Sequence, residues 1–136
     1  WMDEIASISA HRHCGRVVVT ASVNNVSFDR PIFSGEIVTL EAKVSRSFSS
    51  SMEVFVDVHV EKSNGQREKC NEAIYVFVAI DQNRSPINIP VLIPESIEEK
   101  ERFDSALRRK QLSLVLAGRM NPEDAVELKS ALFPNL

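Results

Sequence analysis

The N-terminal segment carries apolar side chains at helical spacing and then gives way to segments in which apolar and polar residues alternate. The apolar positions of the first segment are Trp1, Met2, Ile5, Ala6, Ile8 and Ala10. Together they cover most of the circumference of a helix. Gly15 follows as a natural C-cap. We therefore expect a helix over residues 1–14 that is buried on more than one side.

From residue 16 onward the chain is rich in β-branched residues, which favours strands. The expected strands cover residues 17–28, about 36–44, about 53–61 and about 69–80. The clearest alternation is in the third strand, where Val54, Val56, Val58 and Val60 lie opposite Glu53, Phe55, Asp57, His59 and Glu61. The fourth strand is apolar on both faces, which predicts a central position in the sheet.

The C-terminal part is more polar and predicts helices. Three prolines mark a loop over residues 81–94, and residues 95–116 place acids early and bases late, as a helix dipole prefers. Asn121 followed by Pro122 predicts the start of a final helix that ends near Pro134. One apolar helix, four long antiparallel strands and a helical tail describe an α+β protein with the hotdog fold, because the sheet must cover the helix. We expect residues 1–94 to form that domain and residues 95–136 a helical extension.

The composition and charge of the chain mainly exclude certain classes of protein. The chain has 136 residues and a net charge of −3, which fits one ordinary domain and argues against a general nucleic-acid-binding protein. No apolar run approaches the length of a membrane helix, and the first residues lack the pattern of a secretory leader, so neither is expected. Two cysteines are too few for a four-ligand zinc site, and His11, His13 and His59 lack metal-ligand spacing, so no metal site is expected.

The chain opens on Trp1 with no residue that could cap the first helix. We therefore expect the true start of that helix, and a segment before it, to lie upstream of Trp1.

Several short segments, taken in order, resemble one family. They are residues 1–4, 11–14, 19–23, Phe28 with residues 30–31, then 35–38, 46–54, 94–95 and 99–103. This ordered set is similar to the hotdog acyl-CoA thioesterases of the brain-type and acetyl-CoA-hydrolase group and their bacterial relatives. The resemblance runs from residue 1 to about residue 110. The family's glycine-rich stretch with its catalytic asparagine would precede Trp1, and the tail after about Gly118 matches no part of the family that we can place.

The resemblance implies an enzyme that hydrolyses acyl-CoA to a free fatty acid and coenzyme A without a metal or organic cofactor. It assigns the catalytic carboxylate, as general base or nucleophile, to Asp3. On the residues alone, Asp3 is equally a first-turn acid that stabilises the helix end. Glu4 points about 100° away on the helix and is expected to be a solvent or interface residue.

The resemblance also implies a set of coenzyme A contacts. They are Ala21, Ser22, Val23, Ser50, Ser51, Met52 and Lys110. Small strand residues would let the ligand approach the backbone, and a lysine would suit a phosphate. The alternatives are ordinary strand residues, a simple turn at residues 49–51 and a solvated basic helix end at residues 108–110. Arg46 is a further candidate for a phosphate contact with weaker support.

The expected partners are acyl-CoA and a second copy of the chain, because related sites lie between two protomers. We expect a homodimer, assembled further as a trimer of dimers, with no nucleic-acid or membrane partner. The expected location is the cytoplasm, with the mitochondrion left open. The alternative function is a non-catalytic hotdog module that binds coenzyme A or only mediates oligomerisation.

Overall fold

The computed structural model describes residues 1–28 and 30–134, apart from the side chains of Asn25, Val26 and Phe28. The motif residue Phe28 therefore has its side chain outside the described part. The chain divides into two compact units, Trp1–Leu92 and Ile93–Leu136.

The first unit consists of one helix and one antiparallel sheet. Its elements are α1 (Met2–Cys14), β1 (Val17–Phe28), β2 (Ile37–Ser47), β3 (Ser51–Glu61) and β4 (Arg67–Ile80). The sheet order is β1-β4-β3-β2, so β4 is interior, as its apolar residues on both faces predicted. β1 and β2 are the edge strands.

Helix α1 lies against one face of the sheet and contacts all of its strands. Ala6 and Ala10 are fully buried against the valines of β3, and their small size allows close approach. Gly15 ends the helix with a φ of 67°, and its N–H donates to the carbonyl oxygen of His11.

The expectation that α1 is buried on more than one side is wrong for the single chain. Only Ala6 and Ala10 are buried, whereas Trp1 is 92% and Ile8 52% exposed. The reason is that one sheet covers one face of a helix, and the described residues of the first unit place no second layer against the opposite face.

The alternation predicted for β3 is present, and its valines face α1. On the opposite face of β3, Glu53 and Phe55 are also buried, so the first part of this face is not exposed to solvent. The hydroxyl of Ser45 donates to the Glu53 carboxylate at 2.6 Å, which accommodates the polar group.

The second unit contains α2 (Ile97–Leu116), a 3₁₀ turn (Pro122–Asp124) and α3 (Val126–Leu132). Ser96 and Glu99 form a capping box at the start of α2. Asn121 caps the 3₁₀ turn rather than a continuous final helix, so the predicted single helix is wrong. Ala125, at φ −84° and ψ 67°, leaves the helical region and separates the turn from α3. No helix in the described residues is long and apolar enough to span a membrane.

Candidate active site

The sequence-predicted carboxylate, Asp3, lies in the first turn of α1 and is exposed. The hydroxyl of Thr20 on β1 donates a hydrogen bond to its Oδ1 at 3.2 Å. Within the described residues this is the only hydrogen bond to the Asp3 side chain, and no cation pairs with it. A carboxylate can accept about four hydrogen bonds, so most of the acceptor capacity of Asp3 is available.

The strand that carries Thr20 is irregular at that point. The pairing of β1 with β4 shifts between Thr20 and Ser22, which leaves Ala21 without a direct partner on β4. Such a bulge bends a strand and redirects its side chains, and bulges are frequent beside active sites. The candidate coenzyme A residues Ala21, Ser22 and Val23 are all exposed on this edge strand. The structure therefore brings them next to the Asp3–Thr20 pair.

The second group of candidate coenzyme A residues lies at the turn from β2 to β3. The N–H of Phe48 donates to the carbonyl oxygen of Ser51 at 2.7 Å, and Ser50 accepts from the N–H of Ala79 at 3.0 Å. Ser51 is 7% exposed and Met52 is fully buried, so neither the side chain nor the backbone of Met52 is open to a ligand in the single chain.

The two groups lie on opposite sides of the central strand. Thr20 and Met52 both pair with Phe77 of β4. Two strand spacings, about 10 Å, therefore separate the two backbones at this level of the sheet.

A residue that sequence analysis missed, Tyr75, lies between these groups on β4. It pairs with Val23 on one side and Val54 on the other, and only 7% of its surface is exposed. Its ring stacks on that of Phe77, with centroids 6.1 Å apart. Burial, followed by the negative charge of Asp3, raises the pKa of the Tyr75 phenol. The available signal was a lone tyrosine in the otherwise apolar second half of the strand, residues 73–80.

Thr20 was also missed as a site residue, although it belongs to the segment that carried the resemblance. Sequence separation hid it, because Asp3 and Thr20 are 17 residues apart and meet only when α1 lies on the sheet.

An apolar groove of about 480 Å³ opens beside the N-terminal turn of α1. It is lined by Trp1, Met2, Ile32, Val38, Leu40, Val58 and Asn71. The Asn71 Oδ1 atom is buried and has no hydrogen-bond partner.

Lys110 belongs to α2 of the second unit, where the residue is half-buried. In the same helix, the Arg109 guanidinium donates to the carbonyl oxygen of Arg102 at 3.4 Å.

His11, His13 and the cysteines have structural contacts, whereas Nδ1 of His59 is buried without a hydrogen-bond partner among the described residues. Nδ1 of His11 is 2.8 Å from the carbonyl oxygen of Arg16, and Nε2 of His13 is 2.8 Å from that of Pro90. Cys70 is buried, and its thiol donates to the carbonyl oxygen of Val58. No group of three or more potential metal ligands occurs in residues 1–28 and 30–134.

A second carboxylate from the matching segments, Glu36, is held very differently. Arg30 donates to both of its oxygens, at 3.3 and 2.6 Å, and the N–H of Phe33 donates at 2.7 Å. The hydrogen bond from Arg30, followed by that from Phe33, lowers the pKa of Glu36. These contacts fold the loop that precedes β2.

Comparison with known proteins places this arrangement in a family. The thioesterase superfamily model matches residues 1–65. The uncharacterized acyl-CoA thioester hydrolase YkhA of Bacillus subtilis is 44% identical over 110 residues, which cover 80% of this chain and 64% of that protein. The cytosolic acyl coenzyme A thioester hydrolase of Rattus norvegicus is 34% identical over 90% of this chain and 33% of its own length. The chain thus spans less than two thirds of the length of each of these two relatives.

Solved structures agree. An acyl-CoA hydrolase from Staphylococcus aureus, in complex with butyryl coenzyme A and coenzyme A, has a TM-score of 0.78 and 35% identity over 95% of this chain and 78% of its own. An apo-hexameric acyl-CoA thioesterase has a TM-score of 0.79 and 34% identity over 85% of this chain and 75% of its own. This chain belongs to the acyl-CoA thioesterase group of the thioesterase superfamily, and it has the hotdog fold that the resemblance implied.

The match to the Staphylococcus aureus hydrolase covers 95% of this chain, so it includes most of the tail after Gly118 that sequence analysis could not place.

Proposed function

We propose that this chain hydrolyses acyl-CoA thioesters, with Asp3 as the general base or nucleophile. The observation that carries the proposal is the exposed Asp3 carboxylate at the start of α1, with its single hydrogen bond from Thr20. That hydroxyl fixes one carboxylate oxygen and leaves the other to take a proton from water or to attack the thioester carbonyl. The reaction yields a free acid and the thiol of coenzyme A.

Variants of the Staphylococcus aureus hydrolase support these roles. An aspartate and a threonine of that protein have each been replaced by alanine, and the two are 17 residues apart, as Asp3 and Thr20 are. An asparagine replaced in the same protein lies 15 residues before the aspartate, a spacing that has no counterpart within residues 1–136.

The proposed coenzyme A path follows the edge of the sheet. Residues 21–23 are exposed on an edge strand, whose outward backbone N–H and C=O groups have no partner strand in the described part of the chain. An extended pantetheine can use such groups, as an added strand does. Residues 50–52 form the other proposed contact, and Lys110 of the second unit is proposed to bind a phosphate of the ligand.

The proposed phosphate contact can be separated from catalysis. Replacement of Lys110 by alanine should raise the KM for acyl-CoA about fivefold and leave the KM for acyl-pantetheine, which lacks the nucleotide, unchanged. Lys100→Ala, on the same helix and exposed, is the matched control. An equal change for both substrates would contradict a phosphate contact.

The proposed active assembly contains at least two copies of the chain. Five large apolar residues on α1 and β1 are exposed in the single chain: Trp1, Ile8, Val17, Val19 and Val23. Val17 and Val19 alternate with the core-facing Val18, so the exposed apolar residues border the β1 edge of the sheet on both of its faces. Exposed apolar surface on a folded unit favours a protein partner. We propose that two chains associate along this edge and share the site, and that three such dimers assemble as a hexamer. Sedimentation of the wild-type chain only as a monomer at micromolar concentration would contradict this.

The proposal requires neither a metal nor an organic cofactor, so turnover should survive dialysis against a chelator. The proposed location is the cytoplasm, in line with the name of the cytosolic rat relative.

The decisive experiment measures release of the coenzyme A thiol from acyl-CoAs of several lengths. We expect hydrolysis by the wild type and its loss in Asp3→Asn. Glu4→Gln is the matched control, because Glu4 is a neighbouring exposed acid of the same helical turn. Binding of acyl-CoA without turnover by the wild type would instead establish the non-catalytic module. Equal activity of Asp3→Asn and wild type would remove Asp3 from the mechanism.

A further inference from the structure

Tyr75 has the position of an active-site residue, although it lies in the middle of the central strand. Thr20, which donates to Asp3, pairs with Phe77, and Tyr75 is two residues along the same face of β4. The rings of Tyr75 and Phe77 stack at an interplanar angle of 15°, which fixes the orientation of the phenol. The hydroxyl is close enough to Asp3 for that carboxylate to influence its ionisation.

The hydroxyl of Tyr75 is an available donor. None of the residues that the structure describes accepts a hydrogen bond from it. Burial and the Asp3 charge both raise the pKa of this phenol, so it keeps its proton at neutral pH. The hydroxyl is not among the buried side-chain atoms that lack a partner, so the exposed 7% of the residue includes it and a ligand can reach it.

The strand pairing indicates what the partner is. Val23, which is exposed and belongs to the proposed coenzyme A path, lies directly opposite Tyr75 on β1. A thioester bound along residues 21–23 beside Asp3 would therefore lie one strand away from Tyr75, on the face of the sheet that Thr20 and Tyr75 share.

We propose that Tyr75 donates a hydrogen bond to the carbonyl oxygen of the acyl thioester bound beside Asp3, and is thereby a further catalytic residue. The proposal rests on the proposed function of the chain. The bond strengthens as negative charge develops on that oxygen, and it lowers the barrier to attack. Tyr75 neither forms a covalent bond nor gives up its proton in this step.

The first test is Tyr75→Phe, which keeps the ring and its stacking on Phe77 and removes only the hydroxyl. Loss of one such donor costs about 10²-fold in kcat in other enzymes, and at least a tenfold fall with KM changed less than twofold is expected here. The Tm of Tyr75→Phe is measured beside kcat, and an unchanged Tm shows that the fold is kept. Wild-type kcat in Tyr75→Phe would overturn the proposal.

A second test uses the fact that the chain contains a single tyrosine. Biosynthetic incorporation of fluorotyrosine alters this one phenol without changing the fold, so kcat should change with the acidity of the phenol while Tm stays constant. In the unlabelled protein, phenolate absorbance should appear at lower pH in Asp3→Asn than in the wild type, whereas Glu4→Gln should have no effect. The proposal is overturned if kcat is the same for all fluorotyrosines. It is also overturned if phenolate absorbance appears at the same pH in Asp3→Asn as in the wild type.

The outcomes also distinguish a failure of the Tyr75 proposal from a failure of the proposed thioesterase function. A wild-type chain that hydrolyses no acyl-CoA overturns both. An active wild type, an inactive Asp3→Asn and an unimpaired Tyr75→Phe overturn the role of Tyr75 alone and leave the thioesterase in place.

Discussion

Two carboxylates in the first unit, Asp3 and Glu36, show how differently one fold can hold the same chemical group. Glu36 accepts hydrogen bonds from both terminal nitrogens of Arg30 and from the N–H of Phe33. Asp3 accepts one, from Thr20. Both residues belong to segments that carried the family resemblance. The comparison shows that membership of a matching segment does not separate a structural carboxylate from a reactive one.

The two carboxylates differ in how many hydrogen-bond acceptor sites their contacts within the protein leave unused. The hydrogen bonds to Glu36 stabilise its charged form, lower its pKa and close the loop between β1 and β2. A carboxylate held in this way has little capacity left for a substrate. Asp3 has one oxygen oriented and the rest of its lone pairs exposed, which is the arrangement that a base or nucleophile needs.

The largest expected effect is on turnover. Asp3→Asn should lower kcat/KM for acyl-CoA by about 10³-fold, the scale of a lost general base, with Tm unchanged. Glu36→Gln should keep kcat/KM within about twofold, because its partners are structural. Steady-state kinetics on both variants test this. A larger loss of turnover in Glu36→Gln than in Asp3→Asn would break the comparison.

The next effect concerns the hydroxyl that orients Asp3. Thr20→Val keeps the shape of the side chain and removes the donor, so kcat should fall about tenfold, which corresponds to about 1.4 kcal/mol. Thr39→Val, on β2 and away from Asp3, is the matched control and should retain wild-type kcat. Equal kcat in the two threonine variants would mean that the 3.2 Å contact does not serve catalysis.

A smaller effect is expected on stability. Glu36→Gln loses the ion pair with Arg30 and should lower Tm measurably at pH 7, whereas Asp3→Asn should not. Differential scanning calorimetry on the two variants is sufficient. If Asp3→Asn were the more destabilised variant, Asp3 would be the structural residue of the two.

The smallest effect is a change with pH. The pKa of Glu36 is lower in the folded than in the unfolded chain, so its stabilising contribution is complete above the unfolded value of about 4.3. The contribution is lost as the pH falls through the folded value. The difference in unfolding free energy between wild type and Glu36→Gln should therefore be largest near neutral pH and disappear in acid. Urea denaturation at several pH values measures it, and a difference that grows in acid would contradict the assigned sign.

Much of the fold could be predicted because its signals are local. The four strands, the C-cap at Gly15 and the interior position of β4 follow from residue types at fixed spacing. The final helix was mispredicted because Asn121 and Pro122 start a helical turn, and no sequence signal marks Ala125 as the residue that ends it. The burial of α1 was overestimated because apolar residues indicate that a helix face tends to be buried. They do not indicate whether the same chain or another chain packs against that face.

The candidate site divides in the same way. Asp3 and the exposed segment 21–23 could be proposed from the sequence through the resemblance, since both are parts of continuous motifs. The contact of Thr20 with Asp3 and the placement of Tyr75 opposite Val23 depend on how α1 lies on the sheet and on the register of β1 against β4. The sequence by itself determined the elements, the family resemblance and a candidate carboxylate. Only the tertiary structure decided the neighbours of that carboxylate, because helix docking and strand register join residues far apart in the chain and set every distance between them.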